Sequence, residues 1–115
     1  MPNSGANVPS ATRRALHTLG AHLRAARLRR RISTAVLAER TLVSRGTLYR
    51  VERGDPTVSM GTYATVLWAL GLGDRLTDLA APSRDRVGLT LEEERLPQRI
   101  GRSRARRPPR EPEEG

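Results

Sequence analysis

Six residues between positions 45 and 53 carry the most specific chemistry in this chain: Arg45, Gly46, Thr47, Tyr49, Arg50 and Arg53. If the segment is a helix with Leu48 and Val51 turned inward, then Arg45, Gly46, Tyr49, Arg50 and Arg53 share its outer face. A guanidinium is a planar fork that matches two phosphate oxygens, or the O6 and N7 acceptors of guanine. Gly46 permits close approach of the backbone, and Thr47 offers a methyl group and a hydroxyl. Such a face suits a polyanion whose edges can be read.

The elements that must position this face are marked by caps and periodicity. Ser44 caps the segment, and Gly54, followed by Asp55 and Pro56, stops it by taking the left-handed conformation. Upstream, Ser33 caps a short second helix containing Val36, Leu37 and Ala38 and ending near Arg40. Two helices joined by a three- or four-residue turn, with apolar Leu37, Val43, Leu48 and Val51 and a small Ala38 at the crossing, form a helix-turn-helix.

A first helix is expected over 13–31, because Leu16, Leu19, Leu23 and Ala26 recur at three- and four-residue spacing. Ser59 caps a fourth helix over 60–70, with a staple between Val58 and Tyr63. Val66, Leu67, Trp68 and Leu70 should supply its buried bulk, which makes Trp68 a core residue rather than a stacking platform. After Gly71 and Gly73, residues 74–80 give a last short helix anchored by Leu76 and Leu79. Beyond Pro82, the alternation of Val87, Leu89 and Leu91 with Gly88 and Thr90 suits a short strand.

The expected fold is therefore all-α: a five-helix domain over 12–82 with a short C-terminal β-strand in an extension over 83–98. Residues 1–11 read as a disordered arm. Residues 99–115, with six arginines, the end EPEEG and no large apolar residue after Ile100, read as a disordered tail.

Composition narrows the function classes. The 115 residues carry 21 basic and 12 acidic side chains, a formal net charge of +9, and every basic residue is arginine. This favours polyanionic partners, although high G+C coding also replaces lysine with arginine. There is no cysteine, so disulfides and thiolate chemistry are excluded. No apolar run approaches the roughly 18 residues of a membrane span, and the start MPNSGANVPS lacks a signal-peptide core, so a cytoplasmic, nucleoid-associated protein is expected. His17 and His22 fall on different helix faces without acidic partners, and Glu92, Glu93 and Glu94 read as a solvated run. Neither catalysis nor a metal or other cofactor is expected. Arg24, Arg29, Arg30 and Arg31 suit either phosphate contact or plain solubility.

The run LGAHLRAARLRRRISTAVLAERTLVSRGTLYRVERG resembles the Xre, lambda-repressor-like family of regulators, and the resemblance extends to about Ala81, or some 60 of the 115 residues. It implies binding to double-stranded DNA, with Arg45, Gly46, Thr47 and Arg50 at base edges. Thr34, Arg40, Ser44, Tyr49 and Arg53 would lie at phosphates. It also implies a structural ion pair between Arg27 and Glu52. Two positions depart from the family: Leu42 and Arg31 stand where glycine is usual. A leucine in the left-handed region costs about 1 to 2 kcal/mol, so either the turn differs or packing of Leu42 offsets the strain.

Proteins of this design usually bind as dimers to half-sites about 34 Å apart. The Val87, Leu89, Leu91 strand is the expected dimer contact, through pairing with its symmetry mate; the alternative is a tail docked on its own domain. A domain followed by VGLTLEEERLPQRIGRSRARR is similar to HipB-type regulators. That similarity implies an autorepressing antitoxin that holds a HipA-like toxin kinase. The alternatives are a free-standing repressor without a toxin partner and a nucleic-acid binder that acts through charge alone.

Overall fold

The computed structural model describes residues 7–102. Its helices are α1 (Ser10–Arg29), α2 (Thr34–Thr41), α3 (Arg45–Glu52), α4 (Met60–Ala69), α5 (Asp74–Thr77) and α6 (Arg86–Arg102), with a 3₁₀ turn at Pro82–Arg84. The chain divides into two compact units, Met1–Leu76 and Thr77–Gly115. Helix α1 begins at Ser10, so residues 10 and 11 are already helical. Of the proposed arm, residues 1–6 lie outside the described residues, as do residues 103–115 of the proposed tail, whereas residues 99–102 of that tail belong to α6 rather than to a disordered segment.

In the first unit, α2, α3 and α4 begin in the same way. Ser33, Ser44 and Ser59 have extended backbones, and their hydroxyls accept from the amides of Val36, Thr47 and Thr62, each at 3.1 Å. Each cap satisfies an amide that the helix leaves unpaired, worth about 1 kcal/mol.

The helices of this unit also end alike. At each C-terminus one residue takes a positive φ: Arg31 (55°), Leu42 (58°), Gly54 (74°) and Gly71 (78°). The amide of the next residue then reaches back five positions, from Ile32 to Arg27, Val43 to Ala38, Asp55 to Arg50 and Leu72 to Leu67. This is the Schellman motif, which glycine enters without cost. Arg31 and Leu42 enter it against steric resistance. The turn after α2 is thus of the kind glycine favours, built with leucine in the left-handed position. Packing does not offset the strain at Leu42, whose side chain is 94% exposed. We therefore expect Leu42→Gly to stabilise the domain. Relief of about 1 to 2 kcal/mol less the added freedom of glycine in the unfolded chain, about 0.5 to 1 kcal/mol, should raise Tm by a few degrees in a thermal melt.

The core of this unit comprises Leu23 and Ala26 of α1, Leu37 and Ala38 of α2, Leu48 and Val51 of α3, Val58, and Tyr63, Val66 and Leu70 from α4 and its end. Leu23, Leu37, Leu48, Val51 and Val66 are wholly buried, each contributing about 1.5 to 3 kcal/mol. Gly20 is buried in α1 where α3 ends. A Cβ there would meet Gly54 N at 2.6 Å, Val51 O at 2.7 Å and Glu52 O at 2.8 Å, so the two helices touch backbone to backbone.

Three expectations are corrected. Trp68 is not core. It is 55% exposed, and its ring lies over Gly73, where a Cβ would fall onto it. Trp68 lies two residues from buried Val66, on the far side of the helix. The last short helix stops at Thr77, and Leu79 is exposed. The C-terminal strand is absent: no strand occurs among the described residues, and Val87, Leu89 and Leu91 lie in α6. The Leu89 amide donates to Asp85 O at 2.9 Å, and the Gly88 amide to Asp85 Oδ1 at 3.0 Å. Asp85 thus caps a helix whose backbone bonds to itself, which removes the edge needed for strand pairing. In a helix Val87 and Leu91 share a face, while Leu89 points roughly 160° away. The three no longer form one stripe, and all are exposed.

Candidate nucleic-acid interface

Burial of Leu48 and Val51 fixes the roll of α3. Arg45, Gly46, Tyr49, Arg50 and Arg53 are all exposed, and Thr47 is half-buried. Ser44 and Thr47 hold the start of the helix: Thr47 N donates to Ser44 Oγ, which in turn donates to Thr47 Oγ1 at 3.0 Å. Thr34 is the first residue of α2 and Arg40 lies in its last turn, both exposed. Helices α2 and α3 pack on each other.

The arginines of α3 are in different states. Arg45 makes no hydrogen bond or ion pair among the described residues and extends from the first turn into solvent. Arg53 is drawn to its neighbour: its Nη1 donates to Tyr49 Oη at 2.9 Å, and its Cζ lies 5.3 Å from the Tyr49 ring centroid. This is a cation–π contact that stiffens both side chains. Arg50 is held by two acceptors. Its Nε donates to Asp55 Oδ2 at 3.1 Å and its Nη2 to Thr57 Oγ1 at 3.2 Å, and the side chain remains 46% exposed.

Sequence reasoning gave Asp55 a part only in the helix stop and Thr57 none, although the spacing D-P-T after a helix-stopping glycine is a turn in which an aspartate accepts from the residue two ahead. Here Asp55 Oδ1 accepts from Thr57 N at 2.8 Å and from Thr57 Oγ1 at 2.6 Å. These bonds, hydroxyl first and amide second, hold the Asp55 carboxyl below the usual carboxylate range. Partial desolvation opposes them, and Arg50 adds to them. Tyr63 Oη donates to Asp55 O at 2.8 Å and closes the loop. Burial, followed by the Asp55 charge, pushes the Tyr63 hydroxyl above its ordinary value.

Behind the exposed face, Arg27 and Glu52 meet. Arg27 Nε donates to Glu52 Oε2 at 2.7 Å and Nη2 to Oε1 at 3.1 Å, while Nη1 donates to Ile32 O at 3.0 Å. Both side chains are more than nine-tenths buried. Of the arginines near the end of α1, Arg30, itself exposed, folds back on its own helix and donates to Ala26 O at 2.9 Å. Arg24, Arg29 and Arg31 are exposed.

Two short capped helices crossing at a tight turn, the second presenting arginines and anchored from behind by a buried ion pair, define a helix-turn-helix protein. Residues 18–80, more than half of the chain, match the helix-turn-helix domain family, and the chain belongs to that family. No curated protein and no solved structure matches the chain. Membership makes it a DNA-binding regulator. Among the described residues, no helix is long and apolar enough to cross a membrane.

Proposed function

We propose that the protein is a sequence-specific transcriptional regulator of the Xre, lambda-repressor-like type, a binding protein rather than an enzyme, which inserts α3 into the major groove of double-stranded DNA. The observation that carries this is the roll of α3: with Leu48 and Val51 wholly buried, its arginines and Gly46 are left facing outward. Arg45 and Arg50 read base edges. Thr34, Arg40, Ser44, Tyr49 and Arg53 serve phosphates, which set register without carrying sequence. Because one such helix covers few base pairs, two copies bind a two-fold symmetric site.

The antitoxin reading, with a HipA-like kinase as partner, drew on a short strand after the domain. That segment is helical, so the free-standing regulator is the better-supported form. Selection of duplexes from a randomised library by the full chain tests the proposal. Enrichment of a two-fold motif is expected, and Arg45→Ala should lower discrimination at one position per half-site by about 1 to 3 kcal/mol. Enrichment of nothing, with affinity governed only by salt, would mean a binder driven by charge alone.

A further inference from the structure

The Arg50 guanidinium has five N–H donors on two usable edges. The edge formed by Nε and Nη2 is taken by Asp55 Oδ2 and Thr57 Oγ1. The other edge, formed by Nη1 and the second proton of Nη2, meets no acceptor among the described residues. Its two N–H bonds are roughly parallel, the arrangement that matches guanine O6 and N7. We propose that Asp55 is a specificity-determining positioning residue, which grips the inner edge of Arg50 so that the outer edge is presented to guanine. This rests on the sequence-reading role proposed above.

Three features make Asp55 fit for the task. It is itself immobilised: Oδ1 accepts twice from Thr57, its carbonyl accepts from Tyr63, and its amide donates to Arg50 O at 3.0 Å. Arginine otherwise loses substantial rotamer freedom on binding, and a preset fork has already lost it. Finally, the carboxylate cancels most of the charge that would draw Arg50 to any phosphate, so the pair favours an uncharged partner with two acceptors. Arg45, with no such grip, lacks this bias. The hydrogen bonds from Thr57 that hold the Asp55 carboxyl below its ordinary range are the same ones that fix the carboxylate in place.

Asp55→Asn isolates the contact, because the amide oxygen can still accept from Thr57 while the amide nitrogen cannot accept from Arg50 Nε. Duplex selection is run on the full-length wild type, Arg50→Ala and Asp55→Asn, with thermal melts to verify folding. Arg50→Ala should erase a guanine preference at one position. Asp55→Asn should weaken that same preference by about 5- to 10-fold, within the range one bidentate contact supplies, and leave other positions unchanged. If Asp55→Asn tightens binding to all duplexes equally and keeps the guanine preference, Asp55 only repels phosphate and the proposal fails. A change at a different position would mean the carboxylate reads a base itself, which also overturns it. If Arg50→Ala leaves the motif intact, the positioning role falls while sequence reading stands; if the wild type enriches no motif, both fall.

Discussion

Glu52→Ala is expected to destabilise the first unit by about 3 to 5 kcal/mol, enough to unfold much of a marginally stable domain at 37 °C. The cost arises less from the attraction lost than from what remains. Arg27 would stay buried, with two of its three acceptors removed, and its charge could reach neither water nor a counter-ion. Arg27→Ala should be similarly damaging, because it leaves the Glu52 carboxylate buried among apolar groups. The double variant Arg27→Met/Glu52→Leu is the informative control. Replacing a whole buried pair with apolar side chains of similar size is often neutral or stabilising by about 1 to 4 kcal/mol. Urea unfolding of the three variants should therefore place the double variant far closer to wild type than either single one. A small loss in the single variants would mean that water reaches the pair.

Gly54→Ala is the second large effect. The new methyl group would fall onto the Leu16 carbonyl and lie 2.6 Å from His17 Cα, at a residue with φ of 74°. Both obstacles are α1 backbone, which cannot rotate away as a side chain would. Steric displacement of α1 adds to the left-handed penalty, and a loss of at least ~3 kcal/mol is expected in thermal or urea unfolding. Gly46→Ala provides the contrast. Its Cβ would meet only Ser44 Oγ, at 3.9 Å, so the helix should gain about 0.5 to 1 kcal/mol while DNA affinity falls. A glycine required by the fold and one for which a contact to DNA is proposed are thus expected to differ in the sign of their effect on stability.

The parts of this fold that were legible in the sequence are those written locally. Ser33, Ser44 and Ser59 each precede a helix and cap it, and Gly54 stops α3 because its backbone conformation is set within a few residues. Recognition of Arg27 with Glu52 needed a family pattern, since 25 residues separate them. Gly20 gave no local sign, because its reason for being glycine is the backbone of α3 pressed against it. Trp68 was misplaced because an apolar run does not say which of its members faces inward; its spacing from Val66 could have. The VGLTL alternation is too short to separate a strand from a helix, and the Asp85 cap upstream and LEEER downstream decide in favour of the helix. Asp55 was passed over as a stop signal, although its partner Arg50 is only five residues away.

The hold of Arg27 on both Glu52 and the Ile32 carbonyl, together with the bare contact of Gly20 on Gly54, bears on which partner must adapt when the protein docks. The end of α1, the turn into α2 and the end of α3 share one buried knot, so no hinge lies between them. Helix α3 cannot swivel to follow a groove of the wrong width or pitch without opening that knot. The adjustment falls on the duplex, whose stiffness varies with base sequence. Selectivity should then extend to base pairs that no side chain of this protein reaches.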